Sequence, residues 1–226
     1  MTTRGHFGLL MAETGGGGGD PDFASVVSLL HMDGTNGSTT FTDQIGAAWS
    51  VNTGPTISTA QSVFGGASGS FGSGSIQKNG STSYALGTAD FTIEMWLRRN
   101  SGSGVIFDDR VGSFGAGMAL YIPNGTNDLI FLASGSNRIT SASYTTGTFR
   151  HVAICRASGT TRLFVGGVSA GTYADTNNYQ ANTWVLGAAF NNTAPQSCFI
   201  DDFRATKGVA RYTSDFTPPT AAFPDS

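Results

Sequence analysis

Glutamate, histidine and cysteine are scarce in this chain, and each scarcity removes a class of chemistry. The two glutamates are Glu13 and Glu94. Glycoside hydrolysis by a carboxylate pair needs separations of about 5–5.5 Å for retention or 6.5–9.5 Å for inversion. Asp90 and Glu94 share one face of a predicted strand, but at roughly 3.3 Å per residue their backbones lie some 13 Å apart. The three histidines, His6, His31 and His151, show neither metal-ligand spacing nor a companion Gly-x-Ser-x-Gly. His31 and His151 fall inside predicted strands and read as structural. The expectation is a protein that is not an enzyme, with no catalytic residues to name. Cys155 and Cys198 are too few for a disulfide framework. Both lie in predicted strands, where thiols behave as small hydrophobes; a bridge between them is the alternative.

Charge is also sparse. The 12 Lys and Arg are scattered, and the net charge is −3. Nucleic-acid surfaces carry a basic patch, so no nucleic-acid partner is expected. The N-terminus offers only Phe7 to Ala12 as an apolar run, shorter than a signal-peptide core or a membrane span. Membrane insertion is not expected.

Turn-forming residues and short apolar segments make up the rest. With 32 glycines and 39% hydrophobic residues, the chain alternates strand candidates with turns. These candidates are Val26–Met32, Trp49–Val51, Ile57, Gly74–Gln77, Ser83–Leu86 and Phe91–Arg98 in the first half. Val105–Asp108, Met118–Ile122, Leu129–Ala133, Arg138–Thr140, His151–Arg156, Thr161–Val165, Trp184–Gly187 and Cys198–Ala205 follow. Ser158-Gly159 predicts a hairpin turn and Gly166-Gly167 the next reversal. No stretch has helical period. The pattern predicts an all-β fold, an antiparallel two-sheet sandwich.

The closing segment, Gln196 to Pro219, organises this reading. Period two puts Phe199, Asp201, Phe203 and Ala205 on one face and Ile200, Asp202 and Arg204 on the other. Either face sets a carboxylate beside hydrophobics, so that carboxylate must be paired, hydrogen-bonded or metal-bound. Phe216-Thr217-Pro218-Pro219 reads as a tail laid along the domain.

This segment resembles the closing strand of the laminin-G-like, or concanavalin A-like lectin/glucanase, domain, in a form common in proteins of tailed bacteriophages. Ser28-Leu29-Leu30-His31-Met32-Asp33-Gly34 is similar to the opening strand and Asp90-Phe91-Thr92-Ile93-Glu94-Met95-Trp96 to the central one. Phe149-Arg150-His151-Val152-Ala153 and Arg162-Leu163-Phe164-Val165-Gly166-Gly167 resemble the paired strands of the second half, with Phe149 where the family usually has Trp. The resemblance runs from about Ser25 to Phe223. It implies a concanavalin A-like jelly roll over residues 25–226, behind an N-terminal segment of residues 1–24. Glucanases of this architecture line up acidic residues as Glu-x-Asp-x-x-Glu, and no such run is present.

The resemblance implies a virion accessory protein, of tail-fibre or head-decoration type, made in the bacterial cytoplasm and binding host-surface glycans. A purely structural decoration protein is the alternative, and a glycoside hydrolase a weaker one. A homo-oligomer in the particle is expected. Sugars are held by aromatic platforms with amide and carboxylate partners, which points to Tyr173, Asp175, Asn177, Asn178, Tyr179, Phe190 and Asn192. Loop aromatics that merely cap the sandwich are the competing reading; Trp49, Phe114, Tyr144 and Tyr212 are further loop candidates. The resemblance also implies that the opening and closing strands meet, placing Asp33 near Asp201 or Asp202. Calcium, which takes six to eight oxygens, is the candidate cofactor there; Arg204 or Lys207 could instead bridge the charges.

Gly15 to Gly19 forms a flexible tether. Ahead of it Arg4, His6, Phe7, Leu9, Leu10 and Met11 make a sticky peptide. It reads either as an anchor to other virion proteins or as a disordered leader.

Overall fold

A computed structural model describes residues 19–46, 48–112 and 116–226. The candidate anchor residues Arg4, His6, Phe7, Leu9, Leu10 and Met11 and the aromatic Phe114 lie outside them. After a short 3-10 turn at Phe23–Ser25, the described residues form strands and no α-helix. The first strands are β1 (Val26–Leu30), β2 (Ser50–Asn52), β3 (Thr56–Ser58), β4 (Ser68–Phe71) and β5 (Ser75–Lys78). The central strands are β6 (Phe91–Ser101), β7 (Gly104–Asp108), β8 (Met118–Ile122), β9 (Leu129–Ala133) and β10 (Ser136–Ser141). The last are β11 (Arg150–Ala157), β12 (Thr160–Val165), β13 (Val168–Ala174), β14 (Trp184–Leu186) and β15 (Ser197–Lys207).

These build two antiparallel sheets. One runs β13-β12-β11-β6-β15-β4-β3, with β1 joining β15 beyond β4; the other runs β10-β9-β8-β7-β14-β5-β2. Phe91, Ile93, Met95 and Leu97 of β6 alternate into the space between the sheets. Phe203 of the first sheet meets Phe107 of the second, their centroids 6.4 Å apart, and takes Trp49 edge-on at 5.9 Å. The expected all-β sandwich is what the chain adopts. Both residues of the Ser158-Gly159 turn have positive φ, 48° and 73°, the conformation that matches the twist of a two-residue hairpin.

Two features depart from the expected pattern. In β15 the register shifts between Asp201 and Arg204, with Asp202 at φ 49°. This bulge adds one residue, so Ile200, Phe203 and Ala205 all enter the core, while Asp201 and Arg204 pair with Trp96 and Glu94 of β6, whose side chains alternate away from that core. The face assignment made by strict period two therefore holds only up to Asp201. Secondly, Asp20 is part of the folded body: its N–H donates to the Ser226 carbonyl at 2.6 Å, and its carboxylate takes Arg204 and Arg211.

The far side of the first sheet is not open. Arg211, Tyr212, Phe216 and Phe223 lie across it, covering Ala153, Cys155, Phe164 and His151. Tyr212 and Phe216 stack with centroids 3.6 Å apart, and Phe216 meets Phe164 edge-on at 5.3 Å. Cys155 and Cys198 are both buried free thiols.

Candidate functional site

β1 and β15 lie side by side, and the turn after β1 brings Asp33 into the electrostatic neighbourhood of Asp201 and Asp202. Burial pushes the Asp201 carboxyl up to about 7, against backbone donors that pull it down, and the Asp202 and Asp33 charges add to the rise. Its Oδ2 accepts from the N–H groups of Val63 and Phe64 at 2.6 and 3.2 Å, while Oδ1 has no partner. Both oxygens of Asp202 are engaged, one with His31 Nδ1 at 2.6 Å and the other with the Phe223 N–H at 2.8 Å. His31 Nε2 reaches Asp225 at 2.8 Å. Its imidazole is raised to about 9, chiefly by the hydrogen bond to Asp202.

Both Asp202 oxygens are thus already taken by protein donors. A hard cation wants six to eight oxygens, and among the described residues no three His, Cys, Asp or Glu side chains are set to hold a metal ion. The bridging charge belongs to His31. Arg204 turns to Glu94 and Asp20 instead, and Lys207 donates to the Thr82 carbonyl.

The Tyr173–Tyr179 segment is mostly turned inward. Asp175 is buried and accepts from Thr161 Oγ1 at 2.6 Å, Tyr179 Oη at 2.8 Å and Asn177 Nδ2 at 2.7 Å. Tyr179 is 1% exposed and meets Phe91 edge-on at 5.6 Å. Asn177 also accepts from Ser134 Oγ at 2.6 Å, and Tyr173 lies under the Arg138 guanidinium at 4.7 Å. Asn178 is exposed. A loop of recognition composition is here a hydrogen-bonded crossover whose acid and second tyrosine are enclosed. Trp49 and Tyr144 are likewise buried.

Phe190 has a different setting. It lines a cleft of about 340 Å³ with Val105, Arg110, Tyr121, Leu132 and Asn191. The floor is a small apolar cluster of Val105, Ala119 and Ala189, flanked by Tyr121 and Leu132. All but Ala189, from the loop after β14, project from β7, β8 and β9 on the solvent side of the second sheet. Asp108 fixes the rim: its carboxylate takes Arg110 Nε and Nη2 at 2.8 and 2.6 Å and the Phe190 N–H at 3.1 Å. The Arg110 guanidinium then stands 5.8 Å from the Phe190 ring centre. Tyr121 Oη donates to Asn137 at 2.9 Å. Asn192 is exposed beside this loop at φ 60° and accepts from Ser75 Oγ. Aromatic surface, an apolar floor and a rim of amides and guanidinium are what a sugar ring's apolar face and hydroxyl edge require. Phe190 and Asn192 are among the residues singled out from the sequence; Val105, Tyr121 and Leu132, from β7, β8 and β9, and Arg110, from the loop after β7, are not, because only the fold brings them beside Phe190.

Glu94 is closed to substrate. It is fully buried, with Oε1 accepting from Arg204 Nε at 2.9 Å and Oε2 from Tyr212 Oη at 2.8 Å. Asp90 accepts the Ser158 N–H at 2.8 Å.

The family model for the concanavalin A-like lectin/glucanases superfamily matches residues 70–210. The binding domain of Paraclostridial Mosquitocidal Protein 1 superposes with TM-score 0.66 and 14% identity, over 82% of this chain and 49% of that one. The botulinum neurotoxin serotype D binding domain gives 0.61 and 16%, over 83% and 49%. Domain 4 of AbnA, a GH43 extracellular arabinanase from Geobacillus stearothermophilus solved with arabinotriose, gives 0.60 and 16%, over 82% and 94%. The chain thus spans about half of the two toxin binding domains and nearly all of the arabinanase domain. At these identities the likeness is one of fold. No curated protein matches the chain.

Proposed function

The chain belongs to the concanavalin A-like lectin/glucanase superfamily, in its laminin-G-like form, and on that premise we propose that it is a non-catalytic module that binds glycans in the cleft beside Phe190. The observation that carries the proposal is the cleft itself: Phe190, its backbone N–H held by Asp108, beside an apolar floor, with Arg110 and Asn191 also lining the cleft. Structural relatives that are themselves binding domains, and an arabinanase domain solved with arabinotriose, support this direction. The enclosure of Glu94 by Arg204, His151 and Tyr212 supports a binding role over hydrolysis. The test is a glycan array followed by titration of the hits. Saturable binding that Phe190→Ala weakens about tenfold is expected; no binding at millimolar sugar overturns the reading and favours a structural decoration role.

The setting we propose is a phage virion, with residues 1–19 as the attachment segment to other particle proteins and several copies per particle. Its support is the sequence resemblance of residues 25–223. The protein should co-sediment with intact particles, and removal of residues 1–19 should release it. A shortened chain that still sediments with particles excludes that attachment.

A further inference from the structure

Four cationic side chains are buried among the described residues: Lys78, Arg99, Arg156 and Arg204. Three have a carboxylate. Lys78 lies 3.2 Å from Asp43, Arg156 3.7 Å from Asp175, and Arg204 2.8 Å from Glu94. Arg99 has none within ion-pair distance among those residues. Its donors are all spent on neutral oxygens. Nε and Nη2 donate to the Gly102 carbonyl at 3.1 and 2.6 Å, and Nη1 to Asn127 Oδ1 at 2.8 Å and the Tyr144 carbonyl at 3.3 Å. These bonds fix the guanidinium without neutralising it. It cannot lose its proton, and an unpaired buried charge is costly.

Arg99 follows Leu97 on the core-facing side of β6, so it sits at the mouth of the sandwich. Above it opens a cleft of about 330 Å³, lined by Ser103, Asn124, Gly125, Thr126 and Asn127 with no acidic side chain. The volume lies in the range of small-molecule sites, roughly 300–1,000 Å³. Because Asn127 Oδ1 is taken by Arg99, its amide nitrogen remains as a donor, and the Ser103 and Thr126 hydroxyls add others. The positive field therefore reaches the cleft while neutral amides and hydroxyls make the contacts.

We propose that this cleft receives the carboxylate of an acidic sugar unit. Carboxylate and phosphate alike would take a free guanidinium fork, and here the fork is filled by neutral oxygens; one net positive charge and contacts limited to amides and hydroxyls match a singly charged carboxylate better than a more highly charged phosphate. Ser103 and Pro123 of this cleft lie two residues from Val105 and Tyr121 of the Phe190 cleft along the same β7–β8 hairpin. At roughly 3.3 Å per residue that is about 7 Å, so neighbouring units of one oligosaccharide reach both. The inference rests on the glycan-binding reading and adds the charge of the ligand.

The test uses the full chain and a tetrasaccharide of hexuronic acid, titrated beside the same tetrasaccharide with its carboxyls reduced to alcohols. The acidic form is expected to bind at least tenfold more tightly, with the preference shrinking as salt rises. Asn127→Asp supplies the missing carboxylate next to Arg99. It should fold, melt no lower than the parent and lose the preference, whereas Arg99→Gln removes the charge but endangers folding. Equal binding of both forms overturns the inference and leaves the glycan reading standing; binding of neither overturns both. Inorganic phosphate that displaces the acidic sugar as well as free hexuronate does overturns the carboxylate assignment.

Discussion

Nδ1 of His31 lies 2.6 Å from Oδ1 of Asp202, the residue whose φ of 49° breaks the closing strand. The same imidazole reaches Asp225 with its other nitrogen. One side chain thus ties the first strand's exit to the bulge in the last strand and to the C-terminal tail. A bulge that buries two consecutive aspartates inside the first sheet calls for a countercharge, and His31 supplies one.

Chelation should therefore leave the thermal melt unchanged, whereas His31→Gln should lower it. The pH dependence follows from His31. Its pKa rises from 6.5 to about 9 on folding, so its contribution is complete below 6.5 and is lost as pH rises through 9. Melts recorded between pH 6 and 10 should show the parent losing stability over that interval while His31→Gln shows less. A downward shift of the melt on adding EDTA would restore a metal to this corner.

The two aromatic loops should separate in a single comparison. Phe190→Ala is expected to weaken glycan binding by about tenfold, or 1.4 kcal/mol, with little change in melting. Tyr179→Phe removes the donor to the buried Asp175 and is expected to cost about 1–3 kcal/mol of stability without touching affinity. The opposite assignment of the two effects, read by titration and urea denaturation, would move the site to the Tyr173–Tyr179 segment.

Much of the architecture was legible because burial and strand period coincide where a strand is apolar. Met118–Ile122 and Leu129–Ala133 were bounded correctly from sequence. Ser68–Phe71, reading Ser-Gly-Ser-Phe, was not seen, since its strand state comes from pairing with β3 and β15 rather than from propensity. Ser83–Leu86 was expected as a strand and is largely a turn, with the Tyr84 N–H bonded to the Ser81 carbonyl. The meeting of Asp33 with Asp201 and Asp202 followed from the family resemblance, but the partner of Asp202 did not. The bulge shifts Arg204 by one position, out of reach of that corner and onto Glu94. Nothing in the local sequence marks an extra residue in a strand. The Phe190 cleft was half legible for a related reason: loop composition reveals Phe190, whereas Val105, Tyr121 and Leu132 become neighbours only through the order of β7, β8 and β9.

The tail should act as a lid on Cys155. That thiol's pKa is pushed up by burial, and the Tyr212 N–H sits 3.4 Å from its sulfur. Phe216→Ala removes the ring stacked on Tyr212 and packed on Phe164. It should cost about 2–3 kcal/mol, less than a fully buried Phe, and make one thiol reactive toward a disulfide reagent while Cys198 stays inert in the core. Unchanged labelling of Cys155 would mean that the tail's other contacts hold it down without Phe216.

Glu94 should govern the acid limb of the stability curve. Burial alone would raise its carboxyl, yet Arg204, His151 and Tyr212 hold it down to about 2. Its folded value is thus below the unfolded 4.5, so the stabilisation is complete above 4.5 and disappears as pH falls toward 2. Asp201 and Asp109, both raised to about 7, run the other way, their ionisation eroding stability as pH climbs from 3.8 to 7. The parent's curve therefore mixes opposing slopes, and only its difference from a variant isolates Glu94. Glu94→Gln keeps the shape but leaves Arg204 with Asp20 as its one carboxylate. Losing a partner of a buried pair costs about 3–5 kcal/mol. Urea denaturation at pH 7 should show a loss of that order, and the gap to the parent should narrow steadily from pH 4.5 to 2. A gap that stays constant over that range would mean that Glu94 is already protonated in the folded chain and that its hydrogen bonds, not its charge, hold the tail and the central strands together.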